Sequence, residues 1–416
     1  MTPRVRFRTL LARSTAENLA AQVLAVLVAC GLAGCFSASA RPMTSAGPNA
    51  DRFVYVGTYT GPGVAPDGRS PSTARGIYVF RMRSSDGHLA LVQIMPTDNP
   101  SYLALDSTRT HLYCTNQNDL VDGVPAGRVS AYAVSATDGT LTWLNTQPTH
   151  GSPPAHLSVH PSGAYLLASN YGGGDYPVYR ILADGSVGPE TDDVRGSGAG
   201  PDPDRQEGPH AHQILSDPDS RHVFGVDLGA DKIMIWNLDL TTGKLIANAP
   251  SVAAVAGGSG PRHMVFHPSG RFAYLLNELS GSITTFRYDP SSGALLAQGT
   301  VSTLPTAFTG SKSTAEIRMH PSGRFLYSTN RGHNSVAMFA VDERTGELDP
   351  LGWEPTQGDW PRGMNLDPSG AFLYAANQNS DSIVVFRIDS STGRLTPTGE
   401  TVHTPTPVDI EFGAHP

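Results

Sequence analysis

The chain has few cysteines, few charged residues and no long helical pattern. Only three of its 416 residues are cysteines, and charged residues make up 16%. So few cysteines cannot build a disulfide framework, and stability must come from a packed core. The net charge is −8, and no basic run with interleaved aromatic residues occurs after residue 40. The composition therefore argues against nucleic-acid binding, which needs a basic surface.

Glycine and proline, by contrast, are abundant. The chain has 44 glycines and 33 prolines, which favours many short strands joined by tight turns. No long stretch of helical periodicity follows residue 50. An all-β architecture is therefore expected.

The N-terminus has the features of an export signal. Four arginines precede an apolar segment that ends in Leu32-Ala33-Gly34-Cys35, which resembles a bacterial lipobox. Cys35 would then be lipidated, and the alternative is ordinary cleavage after Ala38-Ser39-Ala40. We predict a signal peptide over residues 1–40 and a linker over 41–52. The mature protein is expected to be a periplasmic or cell-envelope lipoprotein, or else secreted, with no membrane contact beyond the lipid.

One strand-rich repeat runs through the rest of the chain. Its clearest copies contain a His/Asp-Pro-Ser-Gly turn, and they begin at His267, His320 and Asp367. The apolar segment before the turn predicts strand A, and the aromatic segment that ends in Asn predicts strand B. Strand C, an Asp-x-x-Thr-Gly turn and strand D follow. Four antiparallel strands at a period near 50 are typical of a β-propeller blade.

Counting the copies predicts a closed ring of seven blades. Strand B begins near residues 54, 112, 165, 223, 273, 326 and 373. The first copy lacks strand A, and the C-terminal segment Pro407–Phe412 can supply it. That strand would close the ring without a free sheet edge. We therefore predict a single seven-bladed β-propeller over residues 53–416, with four-stranded antiparallel blades.

The repeat also sorts residues by face. The D-to-A connections and the B-to-C loops lie on one face, and the generic turns lie on the other. Ionisable residues at positions where the copies of the repeat differ fall on the first face, and they include His212, Arg262, Glu278 and Arg331. The long segments 61–75, 185–208 and 304–314 are expected to be loops that feed the same face. A glutamate ringed by arginine and histidine can bind an anion and move a proton.

At these residues the chain resembles the seven-bladed propeller lactonase family. That family includes bacterial 6-phosphogluconolactonases of the propeller type and fungal carboxy-muconate lactonising enzymes. The resemblance covers residues 51–416, and the segments that carry it are Gly57-Thr58-Tyr59-Thr60, Pro209-His210-Ala211-His212, Gly260-Pro261-Arg262-His263, Asn277-Glu278-Leu279 and Asn330-Arg331-Gly332-His333. It implies metal-free opening of a lactone ring, or the reverse ring closure by an intramolecular lyase.

The resemblance places His212, Arg262, Glu278 and Arg331 in the family's active site. Glu278 or His212 would be the general base, while Arg262 and Arg331 would bind the substrate anion and the oxyanion. The alternatives are a structural role for His212 and a structural Arg262–Glu278 ion pair. Six further residues are candidates for substrate contacts, each with packing or loop support as its alternative: Tyr59, Tyr171, His210, His263, Arg318 and His333.

Two functions therefore compete at this stage. One is a lactonase, a carboxylic-ester hydrolase acting on a sugar-acid or related anionic lactone. The other is a non-catalytic extracytoplasmic propeller that binds a ligand or a protein, since this fold hosts many functions. We expect no cofactor, no metal and a monomer. An exported enzyme would meet few phosphorylated sugars, so 6-phosphogluconolactone is not the expected natural substrate.

Overall fold

The computed structural model describes residues 50–60, 72–118, 120–121, 124–125, 127–150 and 153–415. They form seven four-stranded antiparallel sheets whose innermost strands contact one another in order around a ring. This confirms the predicted seven-bladed propeller. The predicted signal peptide with Cys35, and the linker as far as residue 49, lie outside the described residues.

We number the blades in chain order and letter the strands A to D from the centre outward. The A strands of blades 1 to 7 are Pro407–Phe412, Pro100–Leu105, Pro154–Val159, Ala211–Ser216, Pro261–Phe266, Thr314–Met319 and Pro361–Leu366. The B strands are Arg52–Thr58, His111–Asn116, Tyr165–Asn170, Val223–Asp227, Phe272–Asn277, Phe325–Asn330 and Phe372–Asn377.

The outer half of each blade is equally regular. The C strands are Gly76–Met82, Arg128–Val134, Asp175–Ile181, Lys232–Asp239, Ser282–Asp289, Ser335–Val341 and Ser382–Ile388. The D strands are Leu89–Pro96, Leu141–Pro148, Val187–Arg195, Lys244–Ala254, Ala294–Ser302, Leu348–Pro355 and Leu395–His403. A small hairpin, Leu120–Val121 with Val124–Pro125, and a 3-10 turn, Gln378–Ser380, interrupt two B-to-C loops. No helix in the described ranges is long and apolar enough to cross a membrane.

The C-terminal strand closes the ring as predicted. Pro407–Phe412 pairs antiparallel with Arg52–Thr58, with Ile410 opposite Val56. A side chain also joins the last blade to the first, because the Tyr374 hydroxyl donates to the carbonyl of Gly87 at 2.9 Å. Equivalent strand-B tyrosines bridge other blades, as where Tyr274 donates to Gly346 at 3.0 Å.

The core lies between the blades. Apolar side chains of neighbouring sheets pack face to face, and Cys114 is fully buried in one of these clusters, as its apolar surroundings in the sequence indicated. The Pro-Ser-Gly turns are local structure, since His267 Nδ1 accepts from the backbone N–H of Ser269 at 3.0 Å. Gly270 in that turn has φ +66°, which favours glycine.

Each A strand carries a β-bulge near its start. In blade 5, Pro261 pairs with Asn277 and His263 with Leu276, so Arg262 is the extra residue. His212 holds the same place in blade 4. A bulge re-aims the side chain that it inserts and is common beside active sites. The bulges therefore interrupt the alternation of the innermost strands at the positions where the sequence analysis found charge.

Candidate active site

Two positions of the repeat bring the predicted catalytic residues together on one face. His212 and Arg262 are bulged residues of strand A, whereas Glu278 and Arg331 directly follow strand B. The backbone N–H of Glu278 donates to Gly260 O at 2.7 Å, which holds the residue after strand B against the start of strand A. The four predicted residues thus converge through backbone geometry that every blade repeats.

Three arginines contact the carboxylate of Glu278. Its Oε2 accepts from Arg262 Nε at 3.0 Å and lies 2.9 Å from Arg331 Nη2, while Oε1 accepts from Arg205 Nη2 at 2.8 Å. Glu278 is 5% exposed, and Arg262 and Arg331 are equally buried. Burying these charges would be costly without such pairing, so the cluster holds together as a unit.

The arginines keep Glu278 ionised. Burial raises the pKa of its carboxyl, but the neighbouring cations, Arg331 foremost, outweigh burial and hold that pKa well below its usual range. Burial and the charges of Arg331 and Arg362 lower the pKa of Arg262 to about 10. Both groups therefore stay charged at neutral pH.

His212 is buried beside this cluster and is neutral. Burial, followed by the charges of Arg262 and His263, holds the pKa of His212 well below its usual value. Its ring meets Tyr171 edge-on with centroids 5.7 Å apart. Its Nδ1 is buried and has no hydrogen-bond partner in the part of the chain that the structure describes. The structure thus gives no support to the alternative in which His212 bonds a loop carbonyl through this nitrogen.

Tyr171 and His210 extend the site toward solvent. Their rings stack with centroids 4.5 Å apart, and His210 Nδ1 lies 3.0 Å from the carbonyl oxygen of Tyr171. The Tyr171 hydroxyl accepts from Arg205 Nη2 at 3.3 Å. Both predicted contact residues therefore border the Glu278 cluster.

Tyr59 lies on the other side of the mouth. The guanidinium of Arg362 sits over its ring, 5.3 Å from the centroid. Arg362 is the bulged residue of blade 7, and its charge lowers the pKa values of His212 and Arg262. Tyr59 therefore reaches the site through Arg362.

Three other predicted contact residues are not at the Glu278 carboxylate. His263 is buried one position further along strand A and contacts Glu316. Arg318 lies deeper, where its Nε donates to Met364 O at 3.1 Å. His333 bonds Ser335 Oγ at 2.7 Å through Nδ1 and packs against Phe308. Substrate contact by these three residues remains a prediction.

Arg205 is the site residue that the sequence analysis missed. It lies in the segment before strand A of blade 4, where Gln206 anchors the chain by donating to Leu228 O at 2.8 Å. The sequence flagged 185–208 as a long loop but could not single out this arginine. The structure also corrects that range, because residues Val187–Arg195 form strand D and the loop starts only after them.

No group of three or more His, Cys, Asp or Glu side chains is placed to hold a metal ion in the described ranges. The cluster that they do contain is cationic. Arg205, Arg262 and Arg331 surround one carboxylate, with Arg362 nearby. An excess of positive charge suits a negatively charged ligand or a developing oxyanion.

Comparison with known proteins decides the family. The sequence profile of the family described as "Lactonase, 7-bladed beta-propeller" matches residues 53–412. The chain belongs to this lactonase family.

Individual members of the lactonase family are similar over most of their length. The 6-phosphogluconolactonase of Bacillus subtilis is 35% identical over 314 residues, which cover 75% of this chain and 84% of that protein. The 6-phosphogluconolactonase of Serratia proteamaculans is 34% identical, covering 70% and 81%. The periplasmic gluconolactonase of Pseudomonas aeruginosa superposes with a TM-score of 0.82 at 32% identity, covering 88% of this chain and all of that one. Lactonase function is therefore supported in general terms.

Proposed function

We propose that the protein is an exported, metal-independent lactonase that hydrolyses the ester of a sugar-acid or related anionic lactone. The observation that carries this proposal is the Glu278 carboxylate bound by Arg205, Arg262 and Arg331 at the mouth of a lactonase-family propeller. Three arginines contact one glutamate and the charge of Arg362 acts on two of them, which leaves net positive charge for the substrate.

His212 is the proposed general base. It is neutral in the folded protein, so it can accept a proton from the attacking water. Glu278 instead orients the arginines, since its carboxylate is already saturated with guanidinium contacts. Tetrahedral addition places negative charge on the former carbonyl oxygen, and preorganised cations stabilise that charge. The proton then passes to the ring oxygen as the C–O bond breaks, giving the hydroxy acid.

The substrate is proposed to be a lactone available outside the cytoplasm. The leader predicts export, and one similar structure is a periplasmic gluconolactonase. The curated relatives are named for a phosphorylated lactone. A substrate panel must therefore include both kinds.

The experiment is a pH-stat screen of residues 41–416 against phosphorylated, uronic and simple aldonic lactones. Hydrolysis releases one acid per ring opened, so titrant uptake above the uncatalysed rate measures turnover. We expect turnover with at least one non-phosphorylated lactone, and a loss on the order of 10²-fold or more in His212→Asn. Thermal stabilisation by lactones without turnover would refute the enzyme and favour a binding propeller.

A further inference from the structure

The third residue of each A strand forms a second layer below the bulged residues. In three blades this side chain accepts a hydrogen bond from a backbone N–H of the next blade. His156 Nδ1 accepts from Ile214 at 3.5 Å, Gln213 Oε1 from Met264 at 2.7 Å, and Asp409 Oδ2 from Leu103 at 2.8 Å. The repeated role of this position is therefore to link neighbouring blades.

His263 holds this position in blade 5 and does not follow the pattern. Its expected donor would be the backbone N–H of Ile317 in blade 6. That N–H donates instead to Glu316 Oε1 at 3.1 Å. His263 Nδ1 lies 3.3 and 3.2 Å from the two carboxylate oxygens of Glu316. The side-chain-to-backbone link to the next blade has been replaced by a carboxylate–imidazole pair, which itself joins blades 5 and 6.

This pairing sets the protonation of the His263 ring. A carboxylate only accepts hydrogen bonds, so Nδ1 must carry the proton that it donates to Glu316. Nε2 is then a bare acceptor. It is buried without a hydrogen-bond partner among the described residues, in a side chain that is 1% exposed. Arg262 Nη1 lies 3.4 Å from Nδ1, further than either carboxylate oxygen.

The neighbouring His212 has a complementary nitrogen without a partner. The two rings are in edge-to-face contact with centroids 5.0 Å apart, nearer than any other ring contact of His263. If Nε2 of His212 is the base, its Nδ1 carries a proton, and that buried Nδ1 also lacks a partner in the described part of the chain. The two unpartnered nitrogens thus belong to rings that are in contact, although the two atoms do not hydrogen-bond each other here. Such groups are costly to bury without a function.

We propose that Glu316 and His263 are positioning residues for the hydrolysis, and that they pass on the proton that His212 takes from water. As water adds to the carbonyl carbon, its proton binds His212 Nε2. The Nδ1 proton of His212 then moves to His263 Nε2, leaving an imidazolium paired with the Glu316 carboxylate. The reverse transfers deliver a proton to the ring oxygen that leaves. This proposal rests on the proposed lactonase function.

Two features of the surroundings support it. Catalytic hydrogen bonds are often long in unliganded enzymes and shorten in the complex, so the contact between the two rings is expected to tighten. Burial, followed by the charges of Arg262 and Arg318, holds the pKa of His263 well below its usual value, so an imidazolium there is a transient species, and Glu316 provides the negative charge that faces it. The groups that face or act on His263 are Tyr102, His156, His212, Arg262, Glu278, Glu316, Arg318 and Arg362. Three arginines and two glutamates stand in this list, so loss of Glu316 would leave the imidazolium facing three cations and one anion.

The test compares Glu316→Gln with Asp409→Asn. Asp409 occupies the same position in blade 1, and its amide variant keeps an acceptor for Leu103, so it controls for an acid-to-amide change at this position of the repeat. The first readout is 15N NMR of the histidine side chains in the free, full-length mature protein, with His263→Gln to assign the signal. We expect Nδ1–H in wild type, and Nε2–H in Glu316→Gln because the new amide donates to Nδ1.

The second readout is the pH profile of kcat on the best lactone of the screen. We expect kcat of Glu316→Gln to fall on the order of 10²-fold with KM within about threefold, and the pKa of the acid limb to fall by about one unit. Glu316→Asp should recover part of kcat, and Asp409→Asn should stay within about twofold of wild type.

Several outcomes would overturn the proposal. One is an Nε2–H tautomer of His263 in wild type, and another is a tautomer change without loss of kcat. If the loss of kcat in Glu316→Gln only followed its melting temperature, or equalled the loss in Asp409→Asn, the role of Glu316 would be structural. If wild type hydrolysed no lactone, the proposed function would fail and the relay with it, while the tautomer result would still report the pairing.

Discussion

Replacement of Glu278 by glutamine tests whether the arginine cluster depends on this one carboxylate. The substitution keeps the shape and one carbonyl oxygen but removes the charge. Arg262 and Arg331 would then be buried cations without an anion, whereas Arg205 is 42% exposed and can turn to solvent. The cost therefore comes mainly from two side chains.

The magnitude follows from the burial. Removing one partner of a buried ion pair costs about 3–5 kcal/mol, and the remaining amide oxygen favours the lower end. For the 360 residues over 53–412, unfolding entropy near 2.1 cal/mol/K per residue converts this to a fall of about 4–7 °C in melting temperature. The unpaired guanidinium groups should also bind anions more tightly than in wild type.

The assay is thermal unfolding with and without sulfate, together with lactone turnover. We expect Glu278→Gln to melt lower, to gain more from sulfate than wild type does, and to lose turnover on the order of 10²-fold. Glu354→Gln, outside the cluster, is the matched control. A variant that opened lactones at the wild-type rate would remove Glu278 from the site. An unchanged melting temperature would show that the arginines do not need it.

Two further predictions separate binding from stability. Arg205→Ala removes an arginine that contacts Glu278 and Tyr171 from the solvent side. We expect KM to rise about tenfold with a loss of folding stability below about 1 kcal/mol. Arg195→Ala, at an exposed arginine, serves as the control, and an unchanged KM in Arg205→Ala would contradict the role of Arg205. Burial, followed by the charge of Glu411, raises the pKa of Asp409 well above its usual value, so the wild type loses stability as pH rises above the unfolded pKa near 4. Asp409→Asn should therefore be no more stable than wild type near pH 4, and should gain up to about 1.4 kcal/mol relative to wild type per pH unit from there until the folded-state pKa of Asp409 is reached. Denaturant titrations at several pH values would show this, and a pH-independent difference would be inconsistent with the shift.

The bulges explain why the site lies where it does. A regular strand would send alternate residues to opposite sides, so two consecutive side chains could not both serve one site. With the bulge at Arg262, that side chain reaches Glu278 and the next, His263, still reaches Glu316. A feature that every blade shares thus brings an arginine or a histidine to this face only where the inserted residue is one, as at His212, Arg262 and Arg362.

Repetition made much of this protein predictable from its sequence. The copies of strand B determined the number of blades, and the unmatched first and last segments determined closure. Aligning the copies also placed His212, Arg262, Glu278 and Arg331 on one face. These properties depend on position within a local unit, which is visible in sequence because each unit repeats the same strand and turn pattern.

Contacts between units were decided by the tertiary structure alone. Arg205 comes from a loop without a counterpart in other blades, so no alignment of repeats could bring it to Glu278. The backbone N–H of Ile317 bonds Glu316 in place of His263, and His263 pairs with Glu316 instead. This pair depends on side chains of two neighbouring blades meeting. The sequence determined the ring and the face of the site, whereas the path of one loop and the packing between two blades determined which charges meet.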